Sequence, residues 1–165
     1  MQLDVAIIGG GPAGCAAALA LVSRGHSVIV IATPYDRVKP TETAVPALAR
    51  LLRSLGAAHA LRACEPCSGI ATSRGRTTPV LQPAISNPYG HAWFIHRTRF
   101  DACLQQTARD RGAQWLAEGA RSLAEDSGWS FNLNNRQAGF RSLGGHRHRL
   151  TSISRSSDQS ESSAI

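Results

Sequence analysis

An α/β fold organised around a parallel β–α–β unit is predicted by three observations close to the N-terminus. The apolar run Val5-Ala6-Ile7-Ile8 leads directly into Gly9-Gly10-Gly11-Pro12-Ala13-Gly14. A stretch of small and apolar residues with helix-forming character follows. A second apolar run, Val28-Ile29-Val30-Ile31, then closes the unit. A Gly-x-Gly-x-x-Gly motif carries meaning only in such a strand–turn–helix setting. There, Gly9 permits the tight turn, Gly11 lets a pyrophosphate approach the backbone, and Gly14 lets helix and strand pack closely. Pro12 and Ala13 begin the helix, whose free N–H groups and positive dipole end face the phosphates of a dinucleotide. No Gly-Lys-Ser/Thr follows, which excludes a P-loop. A glycine-rich turn that binds nothing is the structural alternative.

The remaining elements follow in order. Residues 3–8 read as a strand. Residues 12–24 read as a helix with Pro12 in its first turn and Gly25 at its end. Residues 28–32 are a second strand and residues 34–40 a loop. Val45, Leu48, Leu51, Leu52 and Leu55 keep helical spacing until Gly56. Residues 64–90, rich in Gly, Pro, Ser and Thr, read as loop with short strands at 70–72 and 80–81. Residues 91–95 are a strand candidate. Residues 97–111 read as a helix with Phe100, Cys103, Leu104 and Ala108 on one face, ending at Gly112. Residues 114–123 and 129–133 resemble strands of a small antiparallel excursion. From Gly139 the chain is rich in Arg, His, Gly and then Ser, with little apolar material to bury, which predicts a disordered tail. The expected division is therefore an incomplete nucleotide-binding domain over 1–138 and a tail over 139–165.

The 165 residues suffice for one domain with a real core. No apolar run approaches the roughly 20 residues of a membrane span. Asp4 interrupts what would be the start of a signal peptide, so a cytoplasmic location is expected. Cys15, Cys64, Cys67 and Cys103 fit reduced thiols in that compartment. Cys64-Glu65-Pro66-Cys67 forms a CxxC, but no second pair at zinc spacing accompanies it, so incidental thiols are expected and no metal. The formal charge is +7, and Lys39 is the only lysine. The arginines are scattered without interleaved aromatics, which favours a solvated surface over a nucleic-acid-binding face.

With these residues placed, the chain resembles the N-terminal portion of a FAD-dependent oxidoreductase with a Rossmann-like FAD-binding domain. The subgroup it resembles holds flavin monooxygenases, halogenases and geranylgeranyl-reductase-like proteins. The likeness covers roughly residues 3–133 and rests on three stretches. The first is the glycine motif with Gly25-His26-Ser27-Val28. The second is Thr41-Glu42-Thr43-Ala44-Val45-Pro46-Ala47-Leu48, continuing through Leu51-Leu52-Arg53-Ser54-Leu55-Gly56. The third is Ile95-His96-Arg97-Thr98-Arg99-Phe100-Asp101-Ala102-Cys103-Leu104. The resemblance implies FAD as cofactor, with NAD(P)H a candidate electron donor and a substrate, small-molecule or peptidyl, that the sequence does not identify. It implies that Gly9, Gly11, Pro12, Ala13 and Gly14 hold the pyrophosphate. It places Arg97 at the FAD phosphate or ribityl region, against the alternative of a surface salt bridge. It places Glu42 and Thr43 near the flavin or its ribityl chain, against the alternative of a helix cap with an acid in the first turn.

Three departures from the family pattern stand out. Strand two should end in an acid that hydrogen-bonds the adenosine ribose, yet Ala32 stands there and Asp36 is the nearest acid. Tryptophan-halogenase-like proteins carry a lysine in Lys-x-Gly-Ile, where this chain has Cys67-Ser68-Gly69-Ile70. That replacement disfavours halogenation relative to hydroxylation or reduction, and it brings the chain nearer to flavoproteins that hydroxylate a peptidyl tryptophan. Finally, the family's later strand ending in Asp-Ala-Thr-Gly is missing. Read from the second base of each codon, residues 140–147 can encode Phe-Val-Val-Leu-Glu-Ala-Thr-Gly, so a shifted reading frame is expected near 136–139. No general acid or base stands out; His91 and His96 are candidates by location alone, against ordinary hydrogen-bonded histidines. Three readings remain: the FAD-binding portion of a monooxygenase-like oxidoreductase, a non-catalytic FAD or adenine-nucleotide module, and a basic nucleic-acid-binding protein.

Overall fold

The computed structural model describes residues 3–34, 38–73, 75, 77–125, 129–133, 136–142 and 148–155. The chain begins with β1 (Val5–Ile8), α1 (Pro12–Val22) and β2 (Val28–Ile31). β1 and β2 pair in parallel with Val5 opposite Val28 and Ile8 opposite Ile31. Asp4 sets that register: its carboxylate accepts from the Ser27 backbone N–H at 2.8 Å and from the Ser27 hydroxyl at 2.9 Å. Gly25, at φ +83°, supplies the left-handed turn that ends the helix region. All four residues of β2 are buried, as expected of a central parallel strand covered on both faces.

The middle of the chain forms β3 (Glu42–Ala44), α2 (Leu48–Ser54), a 3₁₀ helix (Ala58–Ala63), β4 (Cys64–Cys67), β5 (Gly69–Thr72), β6 (Val80–Pro83), a further 3₁₀ turn and β7 (Ala92–Ile95). β3 and β4 flank β7 in an antiparallel sheet, and β5 and β6 form a separate hairpin. α3 (Arg97–Asp110) then returns across the core and packs on α1. β8 (Gln114–Leu116) pairs in parallel with β2, giving the order β1-β2-β8. β9 (Ala120–Glu125), β10 (Trp129–Leu133), β11 (Arg136–Ser142) and β12 (His148–Arg155) form an antiparallel meander.

The main core lies between the parallel sheet and the helices. Cys15, Ala18 and Leu19 of α1 meet Val28 and Val30 of β2 and Phe100, Leu104 and Ala108 of α3. A smaller cluster, Leu3, Ile29 and Ile31, covers the opposite face with Ala6, Leu116 and Ala120. The guanidinium of Arg109 lies 4.3 Å from the Trp115 ring centroid and fastens α3 to β8.

The Rossmann-like α/β class expected from the sequence is what the structure shows, with an antiparallel excursion around β7. One expectation is corrected. The span 114–123 is not one antiparallel strand: β8 joins the parallel core sheet, and only β9 belongs to the meander. Alternating side chains are common to both settings, so the sequence does not choose the partner. In the tail expected from residue 139, the described residues of β12 pair with β11. Each added strand satisfies the exposed backbone edge of its neighbour, which needs no apolar core. Residues 143–147 and 156–165 of that tail lie outside the described residues, as does Asp36.

Candidate functional site

The glycine turn is shaped by what its backbone touches. Gly9 has φ +108° and donates its N–H to the Ile31 carbonyl at 2.8 Å. A Cβ on Gly14 would lie 1.9 Å from the Gly9 carbonyl oxygen, so helix and strand approach too closely for any side chain there. A Cβ on Gly10 would lie 2.6 Å from the Trp115 ring. A Cβ on Gly11 would meet no protein atom within 4 Å. That open space belongs to a cleft of about 290 Å³ lined by Gly9, Gly10, Gly11, Ala32, Lys39 and Glu118, among others. Gly11 is the N-cap of α1, with Pro12 and Ala13 in the first turn.

Two side chains hydrogen-bond the turn. The Gly10 carbonyl accepts from Gln105 Nε2 at 2.8 Å and from Cys15 Sγ at 3.5 Å. Burial pushes the Cys15 thiol up to about 11, with the Asp101 charge adding to the shift.

Arg97, the first residue of α3, is held by two carboxylates. Its Nε and Nη2 donate to Asp101 at 3.0 and 3.1 Å, and its Nη1 donates to Glu42. Lys39 Nζ donates to the same Asp101 carboxylate at 2.6 Å. Asp101 is 3 % exposed. Hydrogen bonding to Asp101 raises the Arg97 pKa above its ordinary value. The result is an alternating row of charges, Lys39–Asp101–Arg97–Glu42, running from the glycine cleft to β3. Arg97 spends three of its five N–H donors in this row. The salt bridge weighed against a cofactor contact is thus the geometry present, with two donors left over.

Glu42 and Thr43 sit on β3, not at a helix cap: α2 begins six residues after Glu42 and its N-cap, Ala47, makes no side-chain bond. Adjacent strand residues face opposite ways. Glu42 turns to Arg97, and Thr43 lines a second cavity of about 780 Å³ with Cys67, Leu81, Asn87, Tyr89 and Ala92. The glycines and Thr43 therefore line different cavities. The two histidines are also apart. His96 Nε2 pairs with Glu65 at 2.8 Å, while the His91 ring stacks edge-on to Trp93 with centroids 4.5 Å apart. Cys64 and Cys67, three residues apart on β4, point to opposite faces and are free thiols. Among the described residues no group of His, Cys, Asp and Glu gathers as a metal site requires.

Sequence reasoning missed Lys39, Gln105 and Glu118 as cleft residues and Asp101 as the centre of the charge row. Arg97 and Asp101, four apart on a helix, carried a readable signal of their pairing. Lys39, Gln105 and Glu118 carried none, because each reaches the cleft through the tertiary fold.

A parallel sheet with a glycine turn opening on a cleft at its carboxyl end defines a dinucleotide-binding α/β domain. Residues 3–121 match the pyridine nucleotide-disulphide oxidoreductase family, and the chain belongs to it. Among curated proteins it is 31 % identical over 116 residues to the FAD-dependent monooxygenase ntnJ of a Nectria species, covering 69 % of this chain and 27 % of that protein. It is 29 % identical over 129 residues to the FAD-dependent monooxygenase atnJ of an Arthrinium species, covering 76 % of this chain and 31 % of that protein. A flavin-dependent halogenase of Metacordyceps chlamydosporia is 30 % identical over 116 residues, covering 67 % of this chain and 21 % of that protein. The chain thus spans about a third or less of the length of these relatives. Solved structures share the fold. The peptidyl tryptophan dihydroxylase QhpG superposes with a TM-score of 0.64 at 23 % identity, covering 81 % of this chain and 29 % of that one. A flavin-dependent brominase superposes with 0.65 at 20 %, covering 90 % and 36 %. The resemblance to the N-terminal portion of a FAD-dependent oxidoreductase is borne out. Among the described residues no helix is long and apolar enough to cross a membrane.

Proposed function

We propose that this chain binds FAD and forms the FAD-binding portion of a monooxygenase-like oxidoreductase. The observation that carries this reading is the contrast within the glycine motif. Gly14 is required by the protein's own packing, whereas a Cβ on Gly11, which lines the cleft, would meet no protein atom within 4 Å. Gly9, Gly11, Pro12, Ala13 and Gly14 would hold the pyrophosphate with backbone N–H groups and the N-terminal end of α1. Lys39 brings a positive charge to the same cleft. Arg97 and Glu42 fix β3 against α3, so that Thr43 faces the larger cavity, where the ribityl and flavin end would lie.

FAD, when bound, supplies the redox chemistry; these residues bind and orient it. NAD(P)H is the candidate electron donor, and the substrate is a small molecule or a peptidyl side chain. Cys67 in place of the halogenase lysine disfavours halogenation relative to hydroxylation or reduction. The domain boundary is proposed at 138, with the following residues read out of frame; sequencing the locus tests that, and early stop codons in the other frame would overturn it. A cytoplasmic location and the absence of a nucleic-acid partner complete the proposal.

Because the chain spans so small a share of its relatives, binding and turnover are separable. A module that holds FAD or ADP without catalysis is the second reading. Calorimetry with FAD and with ADP tests both: binding at micromolar to sub-millimolar ligand is expected, and no heat at millimolar ligand overturns both. Turnover of a reductant with O₂ then separates them, and salt-dependent RNA binding by a protein that ignores ADP would support the nucleic-acid reading instead.

A further inference from the structure

An adenosine ribose carries two adjacent hydroxyls, and a site that selects it places an acceptor against them. β2 supplies none, since the residue after Ile31 is Ala32. The chain brings another acceptor to the same place. The Ala32 N–H donates to the Leu116 carbonyl at 3.0 Å, and Ile31 lies opposite Leu116 in the parallel ladder. The carboxyl ends of β2 and β8 are therefore side by side, where open α/β sheets take their ligands. Glu118, two residues beyond the end of β8, lines the cleft together with Gly9, Gly11 and Ala32. It is the single acidic side chain among the described residues of that lining. The other long polar side chains there are engaged: Lys39 with Asp101, and Gln105 with the Gly10 carbonyl. Nothing among the described residues hydrogen-bonds or ion-pairs the Glu118 carboxylate.

We propose that Glu118 takes the ribose-binding role that the end of β2 lacks, accepting hydrogen bonds from the adenosine hydroxyls and so selecting a plain ribose over a 2′-phosphorylated one. The proposal rests on the dinucleotide reading of the cleft. A carboxylate accepts from both hydroxyls at once, and its charge repels a 2′-phosphate. The selectivity determinant has moved from one strand of the sheet to its neighbour while the cleft is kept.

The test is calorimetry of the full chain with ADP and with 2′-deoxy-ADP, on the wild type and on Glu118→Ala and Glu118→Gln. The wild type is expected to prefer ADP by about 10- to 100-fold, the size of one hydrogen bond to a charged group. Glu118→Ala is expected to lose that preference by weakening ADP alone, with the melting temperature unchanged. Glu118→Gln, which keeps the shape and one acceptor, is expected to retain part of it. Adding Ala32→Glu to Glu118→Ala is expected to restore it. A preference that survives Glu118→Ala, or equal weakening of both nucleotides, overturns the assignment of Glu118 while leaving the cleft's reading intact. A wild type that binds neither nucleotide overturns the dinucleotide reading and this assignment with it.

Discussion

At the glycine turn the cleft-facing surface is backbone, and the neighbouring packing leaves no room for side chains at Gly10 or Gly14. Around β3, β6 and β7 the surface is made of side chains, and Val45, Val80, Leu81, Tyr89 and Phe94 leave large apolar areas exposed. The first region is closed and specified by contacts already present in this chain. The second is a wider cavity lined largely by side chains. Recognition of a phosphate, which any dinucleotide carries, needs only N–H groups and a dipole, so a fixed backbone suffices. Recognition of a particular substrate needs side chains that differ between proteins. The Lys39–Asp101–Arg97–Glu42 row ties the two regions together.

The comparison can be broken most severely at the tie itself. Asp101→Ala would leave Lys39 and Arg97 without their shared, buried carboxylate. It should cost about 3–5 kcal/mol of stability in urea unfolding, the loss typical of breaking a buried ion pair. A cost below about 1 kcal/mol would mean that the row is not structural. Next comes Gly14→Ala, whose Cβ would meet the Gly9 carbonyl at 1.9 Å. Overpacking against backbone should cost about 3 kcal/mol and abolish ADP binding, both readable on one sample.

Gly11→Ala sharpens the contrast between the two glycines. With no protein atom within 4 Å, its Cβ should change stability by about 1 kcal/mol or less, the cost of a poorer N-cap, while ADP binding falls at least tenfold. Equal losses of fold and binding would erase the distinction. A smaller effect belongs to Cys15. Its thiol titrates at about 11 in the fold against an ordinary value of 9.0, because burial disfavours the thiolate. The folded pKa is the raised one, so this contribution is complete below pH 9 and lost as pH rises through about 11. Cys15→Ala should flatten the decline of the urea midpoint over that window, with Cys64, also raised by burial, leaving a residual slope. Smallest of all, Glu42→Gln should cost less than about 1 kcal/mol, since Glu42 is half exposed and Arg97 keeps Asp101.

What the sequence disclosed follows from the range of the interactions involved. The first β–α–β unit was legible because its signals are local: Val28–Ile31 is apolar throughout, Pro12 starts the helix and Gly25 ends the turn after it. Arg97 and Glu42 were both singled out, but their pairing across 55 residues was not visible in either motif. β4 was hidden in a segment rich in turn residues, because Pro66 argues against a strand and only pairing with β7 stabilises it. β8 was misplaced because three alternating residues fit either kind of sheet. Glu118 was invisible as a cleft residue, since it becomes one only when β8 lies beside β2.

The bonds to the Gly10 carbonyl carry a consequence of their own. A trans peptide is planar, with its C=O and the following N–H pointing in opposite directions. Gln105 and Cys15 hold the Gly10 oxygen, which obliges the Gly11 N–H to point away from both of them. Gln105 lies 95 residues from Gly10 in sequence. A single donor in a turn that looks entirely local is therefore aimed by a side chain of α3, and it can be lost by a change at Gln105 that leaves the glycine motif itself untouched.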